Sequence, residues 1–179
     1  MITIKTFLAE CSPAETEEEL LIAQLMESSF FNIEDDEKLE NCRTSLSSHH
    51  LIYISGYIEI AQYGDTLMDQ RHWDYVLWLW MLISDGLASV IYQSTQSEIL
   101  FPDQPLTLSM TPRKNNILLE IKNKQETLKS VLYPKAAFLD ALITAGIDVF
   151  TRVLRYNNSQ RLKEVLEKFK HYQEIVQSL

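Results

Sequence analysis

Asp69-x-x-His72, with Asp74 two residues further on, is the place in this sequence where a carboxylate and an imidazole stand at a spacing suited to acid–base work or metal binding. The pattern has a structural alternative, because Asp69 serves equally well as a helix N-cap and no second histidine stands at ligand spacing to it. His49 and His50 are adjacent on the approach to a strand, so their side chains should point to opposite sides and not chelate together. A Cys42 nucleophile would need a base and a group to orient it, and the sequence supplies neither. Cys11 and Cys42 could form at most one bridge, lack metal-ligand spacing, and are expected as reduced thiols. No G-x-S-x-G elbow or H-E-x-x-H helix occurs. Gly56, Gly64, Gly86 and Gly146 are scattered, which removes the Gly-rich phosphate cradles. The expectation is a chain with no catalytic residues, no metal and no cofactor.

Binding chemistry is better represented. On a helix expected over 72–92, Trp78 shares a side with Asp74, Asp85, Ser89 and Tyr92 when residues are set at 100° intervals. Such a tryptophan either lies under a neighbouring element, its indole N–H satisfied by a carboxylate, or serves as an aromatic anchor in an acidic setting. The densest charge is Glu34-Asp35-Asp36-Glu37 with Glu40, on a segment expected to be a solvated loop. Net charge is −9 and unevenly placed: residues 1–40 hold eleven acids and two bases, whereas 41–179 hold fourteen of each sign. Divided at Asp103 instead, −14 faces +5. A sequence pI of about 4.9 argues against reading nucleic acid, which depends on phosphate neutralisation by Lys and Arg. The basic C-terminal part has its own partners at four-residue spacing, such as Asp148 with Arg152 and Lys163 with Glu167. The partner this balance favours is a basic protein.

The elements that must position these residues can be read from periodicity. Ile2 and Ile4 alternate with Thr3 and Lys5, which predicts an opening strand, at an edge. Ser12-Pro13-Ala14-Glu15 is a helix start with a hydroxyl cap, a first-turn proline and a returning carboxylate, predicting a helix to about Phe31. Ile52, Ile54, Ile58 and Ile60 alternate with Tyr53, Tyr57 and Glu59, a strand over 51–61 in which Gly56 marks a bulge or a close backbone approach. The helix over 72–92 has a very wide apolar face and should be central. Phe101-Pro102-Asp103-Gln104-Pro105 reads as a rigid turn, followed by three alternating segments to Tyr133 that predict an antiparallel meander. A helix from Pro134 breaks at Asn157-Asn158-Ser159, with Asn157 suited to a left-handed C-terminal cap and Ser159 to an N-cap. Leu162, Val165, Phe169, Tyr172, Val176 and Leu179 then form a seam that predicts a helical hairpin within the chain.

These signals place residues 1–179 in one α+β domain, an antiparallel sheet with about four packed helices. No secretory leader is visible at Met1, and the apolar run 75–83 is too short to span a bilayer, so a cytoplasmic protein without membrane contact is expected. Trp73-Asp74-Tyr75-Val76-Leu77-Trp78 leading a central helix and Phe101-Pro102-Asp103-Gln104-Pro105 entering a meander, in a small acidic chain, resemble the immunity proteins of bacterial polymorphic toxin and contact-dependent inhibition systems. The resemblance covers 51–133 and is one of overall style, so it carries over no individual binding residue. It implies a protein that binds and neutralises a cognate toxin domain, often a basic nuclease; the complete core pattern without a catalytic constellation adds the expectation of a monomer or weak dimer. The alternative is a small enzyme or ligand-binding protein with a pocket between the Trp-rich helix and the sheet, using His72, Asp74 or Asp85.

Overall fold

A computed structural model describes residues 1–10 and 29–178. The acid-led helix expected from Ser12 falls on 11–28, outside the described residues. Its expected end does not, because Phe30–Asn32 is a strand. The α+β class, the meander and the C-terminal helix pair stand, but the strands divide between two antiparallel sheets.

The first sheet contains β1 (Ile2–Ala9), β2 (Phe30–Asn32), β3 (Ser55–Gln62), β4 (Asp65–Met68) and β5 (Asp74–Tyr75). Its order is β2-β1-β3-β4, with β5 also pairing on β3. The opening strand is therefore flanked by both β2 and β3 only at Phe7 and Leu8; from Ile2 to Lys5, the stretch with the short alternating pattern, it pairs with β3 alone among the described strands and is an edge there. Residues 51–54 are not strand, since Leu51–Tyr53 forms a 3-10 turn that delivers the chain into β3. Gly56 marks a close approach: a Cβ there would lie 2.2 Å from the Phe7 carbonyl oxygen and 2.7 Å from Val76 Cγ1. The irregularity in β3 register comes later, between Ile60 and Ala61.

The second sheet is the meander β6 (Ser97–Leu100), β7 (Leu106–Arg113), β8 (Asn116–Asn123) and β9 (Glu126–Pro134). The sequence reading missed β6, whose four residues are too few to show a period. Pro112 lies inside β7 opposite Ile117, and β6 ends at Ser97 opposite Met110, so the missing proline N–H deprives no ladder of a donor. The Phe101–Pro105 turn is closed by the Phe101 N–H donating to the Leu106 carbonyl at 2.9 Å.

Five helices occur among the described residues: α1 (Asp36–Asn41), α2 (Arg43–Ser47), α3 (Val76–Ala88), α4 (Lys135–Val153) and α5 (Gln160–Gln177). The expected acidic loop is thus α1 and α2, with Asp35 capping α1 by accepting from the Lys38 N–H. Helix α3 starts at Val76 instead of His72, because a 3-10 turn at Gln70–His72 and the β5 bridge to β3 use the preceding residues. It continues into a π turn at Ser89–Gln93. Val76–Gln93 has a mean hydropathy of 1.3, apolar enough by length and composition to cross a membrane, yet half of it is buried inside the protein as a core helix. Trp80 is fully buried, donates its indole N–H to Thr6 Oγ1 of β1 at 3.0 Å, and meets Phe169 of α5 edge-on.

Helices α4 and α5 form the expected hairpin: Leu162, Val165, Phe169 and Tyr172 are buried, and Phe169 stacks on Phe150 and closes against Gly146. Asn157 is not a left-handed cap. Its amide instead donates to the Leu46 carbonyl at 2.9 Å while its oxygen accepts from the Ser159 N–H, and Ser159 makes no side-chain cap. Cys42, buried at the α1–α2 junction, is disulfide-bonded and not the reduced thiol expected. The chain's other cysteine, Cys11, lies outside the described residues. The Tyr133 hydroxyl is buried without a hydrogen-bond partner, and burial, with Asp65 second, pushes its pKa up to about 12.

Two substitutions test this packing. Gly56→Ala should lower stability by about 3 kcal/mol, because both the Phe7 carbonyl and Val76 must give way. Tyr133→Phe should leave stability unchanged or raise it by about 1 kcal/mol, since it removes a buried polar group that bonds to nothing. Urea unfolding midpoints check both.

Candidate functional site

A groove of about 450 Å³ runs along β1 from Met1 to Thr6, with Asn32, Ile33 and Glu34 at one end and Asp140, Ala141, Thr144, Ala145, Asp148 and Val149 of α4 as its far wall. It exists because β2 is short. β2 faces only Phe7, Leu8 and Ala9 of β1, and its lane ends where the Ile33 N–H donates to the Thr6 carbonyl at 2.9 Å. The chain then turns away through the Asp35 N–H bond to Asn32 O into α1. On its other side β1 is paired with β3 from Ile2 to Leu8. Backbone groups alternate in direction along an antiparallel strand, so those of Ile2 and Ile4 face the same side as those of Thr6 and Leu8, where no strand of the described residues follows. Part of an internal strand is thus an open edge, recessed beside a helix.

Of the predicted acidic residues Glu34 lines this groove, while Asp35, Asp36, Glu37 and Glu40 follow it in the cap and body of α1, and most have work within the fold. Asp35 is a helix cap, and Asp36 accepts from Arg152 at 2.9 Å and from Arg155 at 3.1 Å. Glu40 pairs with Arg43 at 2.9 Å. Lys38, on the same helix, reaches back to Glu10 at 2.6 Å, and this bond, aided by Ser29, lowers the Glu10 pKa. Arg152 is 17% exposed and also donates to Asp148 at 2.8 Å; the Asp148 bond first, then Asp36 and Glu34 by charge, raise its pKa. Glu34 meets only the Asn32 amide, and Glu37 and Asp140 make no ion pair to a described residue. Of the three carboxylates that line the groove, Asp148 is paired with Arg152, and Glu34 and Asp140 make no ion pair with a described residue.

Asp74 does not share the side of Trp78 and Asp85, which stand seven residues apart on one face of α3. Asp74 belongs to β5 and is fully buried. Its carboxylate accepts from the N–H groups of Tyr75 at 2.6 Å, Asp103 at 3.1 Å and Gln104 at 3.0 Å, tying the start of α3 to the turn between β6 and β7. Asp85 is exposed and holds Lys168 of α5 at 2.8 Å. Trp78 is half-buried and meets Tyr53 edge-on at 5.9 Å, and Tyr53 meets Tyr75 in the same way at 5.4 Å. This aromatic cluster, with Tyr53 45% exposed, is a feature the sequence reading missed. Its signal was Tyr53 itself, which was assigned to a strand face and so never considered beside Trp78.

His72 and Asp69 form a capping box. The Asp69 side chain accepts from the Arg71 N–H at 3.0 Å, and the Asp69 N–H donates to His72 Nδ1 at 3.2 Å. His72, Asp74 and Asp85 therefore serve three different local structures and do not line one pocket. Among the described residues no three His, Cys, Asp or Glu side chains are grouped to hold a metal ion. Comparison with protein-family models, curated proteins and solved structures finds no match to this chain.

The Arg71 hydrogen bond, offset in part by burial, holds the Asp69 carboxyl down to about 2, below its ordinary value. A carboxyl with a depressed folded-state pKa contributes stability above the unfolded value near 4 and loses it as pH falls toward 2. Asp69→Asn should therefore lower stability at neutral pH and flatten the decline between pH 4 and 2, as measured by thermal melts across that range.

Proposed function

We propose that this chain is an immunity-type binding protein that neutralises a basic partner, such as a toxin nuclease domain, in the manner its sequence style implies. The observation that supports this most directly is the unspent negative charge at the groove. Bases from the C-terminal half reach Asp36, Asp85 and Asp148, yet Glu34 and Asp140 at the groove, and Glu37 on α1, make no ion pair with a described residue. Charges of this kind steer encounter more than they hold a complex, because exposed pairs are screened and contribute little at contact. Holding requires desolvated aromatic anchors, and Trp78 with Tyr53 and Tyr75 is a surface of that composition. The cytoplasmic setting belongs to the same proposal and has one observation against it, the disulfide at Cys42, a bond that is rare in reducing compartments.

The product of the gene adjacent to this one is the partner to test, by co-expression and rescue of growth. Glu34→Gln, Glu37→Gln and Asp140→Asn together should slow association and flatten its dependence on ionic strength, leaving dissociation nearly unchanged. Trp78→Ala should instead speed dissociation by at least about tenfold, the scale of a hot-spot residue. A partner that is itself acidic, or a salt dependence untouched by the triple substitution, would sink the proposal.

A further inference from the structure

The open stretch of β1 is a set of backbone donors and acceptors with a recessed lane beside it, which is what an added strand requires. We infer that the β1–α4 groove takes an extended segment of the basic partner, laid in the lane that β2 leaves at Ile33. This deepens the proposed function and rests on its reading of a basic partner. The lane beside Ile2 to Lys5 is about 13 Å long at 3.3 Å per residue, room for roughly four residues of an incoming strand. Alternate side chains of that strand point toward Ile2 and Ile4 and the small side chains of Ala141 and Ala145 on α4. Its ends lie near Glu34 and Asp140, neither of which has a cation partner among the described residues.

Charge decides which occupant fits. Lys5 lines the groove, but it stands opposite Glu59 of β3 and its side chain leaves the sheet on the face away from Ile4. Asp148 is held by Arg152, which also serves Asp36. Beside Lys5 and the amino group of Met1, the charged groups that line the groove are the carboxylates of Glu34, Asp140 and Asp148. A second copy adding its own β1 would bring Glu34 and Asp140 toward like charges, whereas a strand bearing Lys or Arg meets carboxylates. The recess has a further consequence: α4 and the Asn32–Glu34 corner prevent a flat sheet edge from docking, so an isolated strand or hairpin tip enters where another sheet cannot.

The probe is an octapeptide alternating lysine and valine, added to the full chain and followed by NMR. Amide exchange at Ile2 and Ile4 should slow, and replacing the lysines by glutamate should weaken binding at least about tenfold. N-methylation of one alternate set of peptide amides should abolish binding, and methylation of the other set should be tolerated because those amides face away from β1. Thr144→Trp, from an exposed position on α4, should fill the groove and remove binding while the melting curve confirms a folded chain. If the lysine peptide binds but both methylated forms bind equally well, strand addition is wrong and the charge-steered reading survives. Absence of any binding at millimolar peptide, unchanged exchange at Ile4, or a chain dimer in sedimentation that Thr144→Trp dissolves would each overturn the inference. A partner recovered without basic residues would instead overturn the proposed function itself.

Discussion

Helix α3 carries apolar side chains around nearly its whole circumference, and such a helix is stable in water only when enclosed on several sides. Eight of its thirteen residues are buried. Enclosure explains why the strands divide between two sheets: β1 of the first meets α3 through Trp80 and Thr6, and β6 of the second closes on Gly86, where Ser97 Oγ and Ile99 leave no space for a Cβ. Helix α5 completes the enclosure, with Phe169 against Trp80 and the Tyr172 hydroxyl donating to the Ser84 carbonyl at 3.1 Å. The start of α3 is fixed by Asp74. A carboxylate removed from water is costly unless fully bonded, and three backbone N–H groups offset that cost at about 1.5–3 kcal/mol each.

The charge separation along the sequence is partly undone in space. Asp36 from the acidic half meets Arg152 and Arg155 from the basic half, Asp85 meets Lys168, and Glu98 lies 3.6 Å from Lys122. Most of these pairs are exposed and contribute little individually, so their value to the fold is in positioning. Arg152 and Lys122 are the exceptions, each mostly buried and held from two sides, and Arg152 fastens α1 to α4 beside the groove. The carboxylates left over are therefore not a random remainder. They sit where the fold already spends its two nearest cations on structure.

The groove and the aromatic cluster share a cause, which is the shortness of the elements beside them. A three-residue β2 leaves half of β1 without a second strand among the described residues, and a three-residue turn at Leu51–Tyr53 places a half-exposed Tyr53 against Trp78. Both sites are thus by-products of segments that are themselves too short to pack independently, held in place by β3 and α3.

Much of the fold was legible in the sequence, because period and turn chemistry are local. The alternation in β7, β8 and β9, the wide apolar face of α3, and the 3-4 seam of α5 each state which side must be buried, whatever they are buried against. Gly56 announced a close approach for the same reason. The site was less legible. Asp69 and His72 were readable as a cap, but Asp74 was placed on a helix face when pairing of β5 with β3 takes it out of the helix and into the core. Glu34 to Glu40 looked like a solvated loop because no period shows in two short helices whose order comes from Arg152, Arg155 and the Asn157 amide, more than a hundred residues away. The short alternation at Ile2 and Ile4 pointed to an edge strand, but how much of that edge is open depends on where the neighbouring strand stops, which leaves no mark in sequence. Composition by itself determined that the chain is acidic and has a core; tertiary structure alone decided which acids are spent on arginines and which face a groove, because ion pairing and strand pairing are set by distances that periodicity does not encode.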